Sequence, residues 1–492
     1  MKKIKLLAYA LTASFTLLAC RDAVDIVQDG ELTQEVALRS VSDLQGFLYG
    51  NVYGSLDTSN EIWLTSVFTD ETGIAPSNSG WYFSEFRYIL TSDNEYVAGT
   101  WGSNYRAINR ANRVLETSAN ITPTSADETL RFKSILAQAR AVRALSYLNL
   151  LSYFTTNMAD DNALGVILVT DVPDLNAQLP RATNGAVYSQ IEADLDYAYA
   201  NLWESDPKGP AAGVKYKFVT KNMINAIRAR MYTYRGNYPQ AKIYAQDVIT
   251  NGPALLQAAN NTTTNPYRAM WADVTQGEII FALSRPSSGA WGDIARFWTT
   301  NSTDINGSPL LKIGMKQYAL WNKDYDIRSV AFVDDTSTGN IQILNKYPGK
   351  GNTALRNDIK VFRTSEMYLI KAEAEAAAGN FVAAATIIKD IRTARRFLNV
   401  TIPMPSYANK AEALRDILKE RRAELSFEGH RYVDLRRLGA QAGVTNDRSP
   451  LDDGGAGLNA PLSLPITDYR WTFPIPSAEK LGNPSIVQNP GY

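Results

Sequence analysis

Residues 230–249, RMYTYRGNYPQAKIYAQDVI, and residues 373–392, EAEAAAGNFVAAATIIKDIR, carry the same local pattern. In each, Gly-Asn-aromatic follows a helical stretch, and an alanine stands three residues after the aromatic. The first has Gly236-Asn237-Tyr238 with Ala241, the second Gly379-Asn380-Phe381 with Ala384. A glycine just past the last helical residue supplies the left-handed conformation that ends a helix. The aromatic packs into the helix pair, and the alanine lets the two helices approach closely. Each segment therefore predicts a helix-turn-helix hairpin.

Such hairpins are the unit of tetratricopeptide-like repeats. The two copies are much further apart than one repeat, so other material is inserted between them. Further helices fit the 3.6-residue period. In LAQARAVRALSYLNLLSYF, Ala137, Ala141, Ala144, Leu145, Leu148 and Leu151 share one face. In TSEMYLIKAEAEAAAG, Met367, Ile370 and Ala374 form the stripe, Thr364 or Ser365 is placed to cap, and Glu366 suits the positive helix end. VYSQIEADLDYAYANL (187–202) and VTKNMINAIRARMYTY (219–234) are amphipathic as well. The core is therefore expected to be mainly α, built of several helix pairs.

Two irregular regions rich in aromatic residues interrupt these helices. One runs from about 70 to 101 and holds Trp81, Tyr82, Phe83, Phe86, Tyr88, Tyr96 and Trp101. The other runs from about 258 to 308 and holds Tyr267, Trp271, Phe281, Trp291, Phe297 and Trp298. Phe281, in EIIFAL, alternates like a buried strand. The proline-rich tail FPIPSAEKLGNPSIVQNPGY predicts an extended strap over the surface.

Composition excludes several chemistries. The chain has 492 residues, enough for one large fold or two to three domains. Fifty basic residues balance fifty acidic ones, which gives nucleic-acid binding little support. There is one histidine, His430, and one cysteine, Cys20, so a zinc site of several such ligands is excluded. No phosphate-loop or dinucleotide-binding glycine motif is present, and no cofactor is expected. DDTSTG, 334–339, faintly resembles a calcium loop, but Asn345 stands where the closing glutamate should be. A hairpin turn is predicted there.

The N-terminus opens Met1-Lys2-Lys3-Ile4-Lys5, and Leu6 to Ala19 carry no charge. That is the pattern of a secretory signal, and it is shorter than the roughly 20 residues a membrane-spanning helix needs. Cys20 follows Leu17-Leu18-Ala19, as in a bacterial lipobox whose cysteine is acylated and becomes the mature N-terminus. Several acyl chains on one cysteine would hold a soluble protein at a membrane.

An ordered set of motifs now points to a family. It comprises Cys20; Thr69-Asp70-Glu71; Trp101, Tyr105, Ile108, Asn109 and Asn112; and Ala139, Arg140, Arg143, Ala144, Leu145 and Tyr147. RTSEMYLIKAEAEAAAGN, ERRAELSFEGHRYVDLRR, FPIP and QNPGY follow. Over nearly its whole length the chain resembles the SusD/RagB-type lipoproteins, the nutrient-binding partners of outer-membrane TonB-dependent transporters in Bacteroidota. It departs from the family pattern at Gly165-Val166-Ile167-Leu168, where a Gly-Gly-x-Pro is usual.

The resemblance implies a SusD-like fold with about four tetratricopeptide-like helix pairs and a loop-rich ligand-binding face with short strands. It implies a signal peptide at 1–19, an N-terminal region at 20–220 and a C-terminal region at 221–492, together one structural unit. It implies a cell-surface lipoprotein, held in the outer membrane through Cys20, that caps a SusC-like TonB-dependent transporter and captures oligosaccharide without chemistry. Some relatives capture peptides instead. In the family the binding site draws its aromatics from an N-terminal loop and a later insertion, which is where the two aromatic regions lie here.

A sugar ring offers an apolar face and a rim of hydroxyls. Flat indole and phenol rings accept the face at little entropic cost, and amides or carboxylates accept the rim. Trp81, Tyr82, Trp291, Trp298 and Tyr267 are the candidate platforms, and Asp70 could reach rim hydroxyls. The competing reading puts these aromatics in the core and Asp70 in a helix cap or a core hydrogen bond. Glu424 and Glu428 are the alternative, enzymatic candidates, as the carboxylate pair of a glycoside hydrolase. But Arg421, Arg422 and Arg431 stand beside them in sequence and favour the ionised form, the opposite of what a general acid needs. An ion-pair lattice that includes His430 is the expectation. A third reading is a helical-repeat scaffold that binds only proteins, with its aromatic loops buried.

Overall fold

The computed structural model describes residues 38–286, 293–299, 309–339, 341–351 and 353–492. The expected signal segment and Cys20 lie outside the described residues. The longer helices, in chain order, are α1 (Ser59–Phe68), α2 (Glu95–Ser118), α3 (Ala126–Phe154), α4 (Asn184–Asn201), α5 (Lys221–Tyr234), α6 (Tyr238–Asn251), α7 (Thr364–Ala377), α8 (Phe381–Ala394), α9 (Lys410–Leu425) and α10 (His430–Ala442). Most start where a short polar side chain can take a free backbone N–H. Asn94 caps α2, Ser125 caps α3, Thr183 caps α4, Thr220 caps α5 and Asn409 caps α9.

α5 with α6 and α7 with α8 are the two hairpins predicted from the repeated pattern. Gly236 and Gly379 take φ of +74° and +80°, where a Cβ would meet no neighbouring atom but would strain the backbone. Asn237 N–H donates to Tyr232 O at 2.9 Å and Asn380 N–H to Glu375 O at 2.9 Å, closing both helix ends in the Schellman manner. Ala241 and Ala384 are fully buried at the helix crossings, as predicted. α2 pairs with α3 and α9 with α10, while α4 packs on α3, and α6 and α9 both pack on α7. The stack therefore has about four helix pairs, and the Ala137-to-Leu151 stripe of α3 lies inside it. Each buried leucine of that stripe contributes about 1.5–3 kcal/mol.

Three two-stranded antiparallel sheets complete the architecture. β1 (Thr72–Ile74) pairs with β5 (Leu311–Ile313), β2 (Leu164–Ile167) with β3 (Arg181–Thr183), and β4 (Ile279–Leu283) with β6 (Ile359–Arg363). β4 carries Phe281, buried as expected. DDTSTG forms the expected hairpin turn, with bridges Val333–Leu344 and Thr338–Ile341.

Two sequence expectations are corrected. Neither Thr364 nor Ser365 caps α7, because both hydroxyls are engaged elsewhere. Thr364 Oγ1 donates to Pro253 O at 2.6 Å, and Ser365 Oγ accepts from Arg363 Nη1 at 2.8 Å. The C-terminal tail is also more than a surface strap. Its prolines break helices, but Phe473, Ile475 and Ile486 between them enter the core, and Phe473 stacks on Tyr153.

A buried ion lattice locks the inserted strands to the helices. Glu424 of α9 accepts from Arg363 at 2.8 Å, from Arg395 at 2.8 and 3.0 Å, and from Arg328 at 3.3 Å. Glu278, just before β4, shares Arg363 and Arg395. Glu428 holds Arg363 and Lys346, each at 2.7 Å. Burial alone would raise the Glu424 carboxyl, but the Arg395 and Arg363 guanidinium groups outweigh it and hold it well below the usual carboxylate range.

The expected partners are thus corrected. Arg422 and Arg431 hold Asp70, Arg421 holds Asp434, and His430 stands outside the lattice with no partner at Nδ1 among the described residues. Removing one partner of such a lattice leaves a charge buried and uncompensated. Arg395→Met should destabilise the fold by about 3–5 kcal/mol, read as a lowered urea unfolding midpoint. A loss below about 1 kcal/mol would show that the lattice does not hold the insertion in place.

Candidate functional site

The chain leaves α1 at Phe68, enters β1 beside β5, and then makes a surface loop at 75–82. Asn78 fastens that loop. Its Oδ1 accepts from the N–H groups of Gly80 and Trp81 at 2.9 and 2.8 Å, and its Nδ2 donates to Trp81 O and Leu310 O at 3.0 and 2.8 Å. The result is a rigid turn that presents the Trp81 indole, 45% exposed, to solvent.

Beneath Trp81 lies a layer of aromatics from three other elements. Phe297 packs against the Trp81 indole with ring centroids 5.9 Å apart. Trp63 of α1 meets Phe297 edge-on at 5.0 Å, and its Nε1–H donates to Ile294 O at 2.9 Å. Tyr82 also meets Phe297 edge-on, at 5.1 Å, and stacks on Tyr96 of α2 at 4.9 Å. Leu310 and Leu311 N–H both donate to Phe297 O, tying the 293–299 segment to β5. Both aromatic regions of the sequence therefore meet in one place. Trp81 supplies the surface, and Tyr82 and Phe297 supply its support.

The remaining site expectations divide. Trp291 lies outside the described residues. Tyr82 is 5% exposed, and its left-handed φ of 61° turns it inward as Trp81 turns outward. Tyr267 is wholly buried, which corrects its expected place on a loop surface. Asn265 caps a short helix, Pro266–Trp271, which directs Tyr267 and Trp271 into the core, and the Tyr267 hydroxyl donates to Glu424 at 3.2 Å.

Trp298 is wholly buried too, between Tyr347 and Phe427, so it has no face for a ligand. Asp70 is buried and accepts both arms of Arg431 at 2.8 Å, with Arg422 at 3.1 Å. Those two guanidinium groups outweigh burial and hold its carboxyl well below the usual range, and it has no solvent-facing oxygen to offer a sugar. Trp63 was missed by sequence reasoning. α1 is apolar or buried on almost every side, so it lacks the periodic stripe that would have marked it.

Other hollows are less suited to a flat apolar face. One of about 250 Å³ and one of about 480 Å³ adjoin along α8 and α9. Their central charges are already satisfied, Arg392 by Asp416 and Glu420 and Tyr407 by Asp416, each at 2.7 Å. A third, of about 430 Å³, is lined by Thr263, Thr264, Asn265 and Arg268 and offers no exposed ring, since Trp271 is buried. Among the described residues no group of three His, Cys, Asp or Glu side chains is set to hold a metal ion.

Truncation should separate surface from core. Trp81→Ala is expected to cost less than about 1 kcal/mol of stability, as an exposed side chain does. Trp298→Ala should cost about 3–5 kcal/mol, as emptying a packed aromatic site does. Denaturant unfolding reads both, and equal losses would contradict the assignment.

A family model described as the SusD family matches residues 312–492, and a second, described as starch-binding associating with outer membrane, matches residues 34–233. SusD-like protein P2 of Formosa agariphila is 25% identical over the full length of both chains. A SusD-like protein of Bacteroides ovatus is 26% identical over 54% of this chain and 50% of its own. A solved SusD superfamily protein from Bacteroides thetaiotaomicron superposes with a TM-score of 0.76 at 24% identity, covering 92% of this chain and all of that one. A SusD-like carbohydrate binding protein from Bacteroides vulgatus superposes with a TM-score of 0.73 at 17% identity, covering 91% and 98%. With both ends of the chain matched by SusD-type models and the helical stack shared with SusD superfamily structures, this chain belongs to the SusD/RagB family.

Proposed function

We propose that the chain is a cell-surface glycan-binding lipoprotein that captures oligosaccharide on the loop surface around Trp81 and delivers it to a SusC-like TonB-dependent transporter. The observation that carries this reading is the exposed Trp81 indole, fastened by Asn78 and backed by Phe297. A rigid indole over an aromatic layer suits the apolar face of a sugar ring. The family model over residues 34–233, the part that holds Trp81, is described as starch-binding, which supports a glycan ligand and a place at the outer membrane. Among the described residues no helix is long and apolar enough to cross a membrane. Anchorage through an acylated Cys20 is the proposed link to the bilayer, and Trp291 is proposed as a second platform.

The proposed mechanism is reversible stacking and hydrogen bonding, with no covalent step. Glu424 and Glu428 are saturated by arginine and lysine and are suited to stay ionised. Glu61 and Glu71 have carboxyls pushed up to about 8 by burial, yet they are 3% and 1% exposed, out of reach of a glycosidic bond.

The test is affinity electrophoresis and calorimetry of the soluble form that starts after Cys20, against a panel of polysaccharides and peptide mixtures. One glycan class should retard the protein. Trp81→Ala should weaken binding by about 10- to 30-fold, or roughly 1.4–2 kcal/mol, with the fold intact. Peptide binding without glycan binding would overturn the ligand, and depolymerised products would overturn the non-catalytic reading.

A further inference from the structure

Under α1 lies a small cavity of about 40 Å³. It is lined by Glu61 of α1, Tyr153 of α3, Arg230 and Tyr234 of α5, and Glu428 and His430 at the start of α10. A water needs about 10–15 Å³ of such space, so the cavity has room for two or three. Two of its lining side chains carry buried atoms with no hydrogen-bond partner among the described residues, Glu61 Oε1 and His430 Nδ1. Glu61 Oε2 has only a long contact, 3.4 Å from Thr100 Oγ1.

The charged groups around them are already committed. Arg230 is held by both oxygens of Glu366 at 2.7 Å, Lys360 by Asp273, and Glu428 by Arg363 and Lys346. Tyr153 points its hydroxyl at Gly429 O, 3.4 Å away. Tyr234 is the remaining titratable group in the lining, and Asp57 acts on Glu61 from outside the cavity. Unpartnered buried polar atoms are costly, and two of them on one small polar cavity call for a shared partner.

We propose that this cavity is an internal hydration site, in which two or three ordered waters bridge the Glu61 carboxyl to the His430 imidazole. A protonated carboxyl donates one hydrogen bond and accepts others, and a neutral imidazole both donates and accepts, so a short water chain can satisfy both. The electrostatics agree. Burial, then Asp57, raises the Glu61 carboxyl to about 8. Burial, with Arg230 and Arg421 nearby, pushes the His430 imidazole well below its ordinary value. Both shifts favour the uncharged form at neutral pH.

The pH dependence has a definite sign. Glu61 titrates higher in the fold than in the unfolded chain, where a carboxyl titrates near 4.3. Its contribution is fully present below the unfolded value and is lost as pH rises through about 8.

His430 is the one histidine of the chain, so its ring gives a single signal in a ¹⁵N-histidine-labelled sample. The ring nitrogens should report an imidazole that stays neutral well below the ordinary midpoint near 6.5. They should also step once near pH 8 as Glu61 ionises, and Glu61→Gln should abolish the step and flatten the fall of melting temperature between the unfolded carboxyl's midpoint near 4.3 and about pH 8. A ring that titrates near 6.5, or a step that survives in Glu61→Gln, would overturn the proposal. A crystal structure of the unaltered protein keeps the test open should the variant fail to fold. Waters within hydrogen-bonding distance of both Glu61 and His430 are expected, and an empty cavity would refute the site.

Discussion

The Glu424 carboxylate, wholly buried and shared by Arg363, Arg395 and Arg328, is the interaction on which the architecture turns. Arg363 ends a strand of the inserted region, Arg395 follows α8, and Glu424 lies in the last turn of α9. Glu278, Glu424 and Glu428 meet Arg363, Arg395 and Lys346, and Arg328 extends the cluster to Asp326 and Glu420, so each buried charge faces opposite ones. A hydrophobic cluster of the same volume could be as stable. It would not specify so narrowly which strand end sits against which helix, because guanidinium–carboxylate pairs demand fixed geometry.

That fixed placement reaches the surface through short steps. Tyr267 and Trp271 pack on the lattice from the insertion, with Lys346 4.4 Å above the Trp271 ring. Trp298 is clamped between Tyr347 and Phe427, next to the same turn that carries Glu428. One residue earlier, Phe297 faces the other way and supports Trp81. The exposed indole is thus the last member of a packed aromatic series that starts in the core. A platform built this way loses little conformational freedom when a ligand lands on it.

The helical stack was readable because its signals are local. Gly236 and Gly379 mark helix ends, and Ala241 and Ala384 mark close crossings, within a few residues of each other. The charge-rich stretch at 420–437 was readable as a lattice, but its partners were not. Arg363 and Glu424 are 61 residues apart and Arg328 and Glu424 96 apart, so nearby Arg421, Arg422 and Arg431 were the natural but wrong choice. In the loops, polar neighbours surround buried and exposed rings alike. SNSG precedes Trp81, which is exposed. TTTNP before Tyr267 looked the same, yet its asparagine caps a helix that faces the core. Burial there depends on what the insertion packs against, which no window of sequence contains.

The most direct measurement is a crystal structure of the protein with the oligosaccharide it retains. A sugar ring lying flat on the Trp81 indole, with Phe297 and Tyr82 unmoved beneath it, is the predicted result. A sugar seated in the hollow between α8 and α9, with Trp81 left bare, would contradict the assignment of the binding surface.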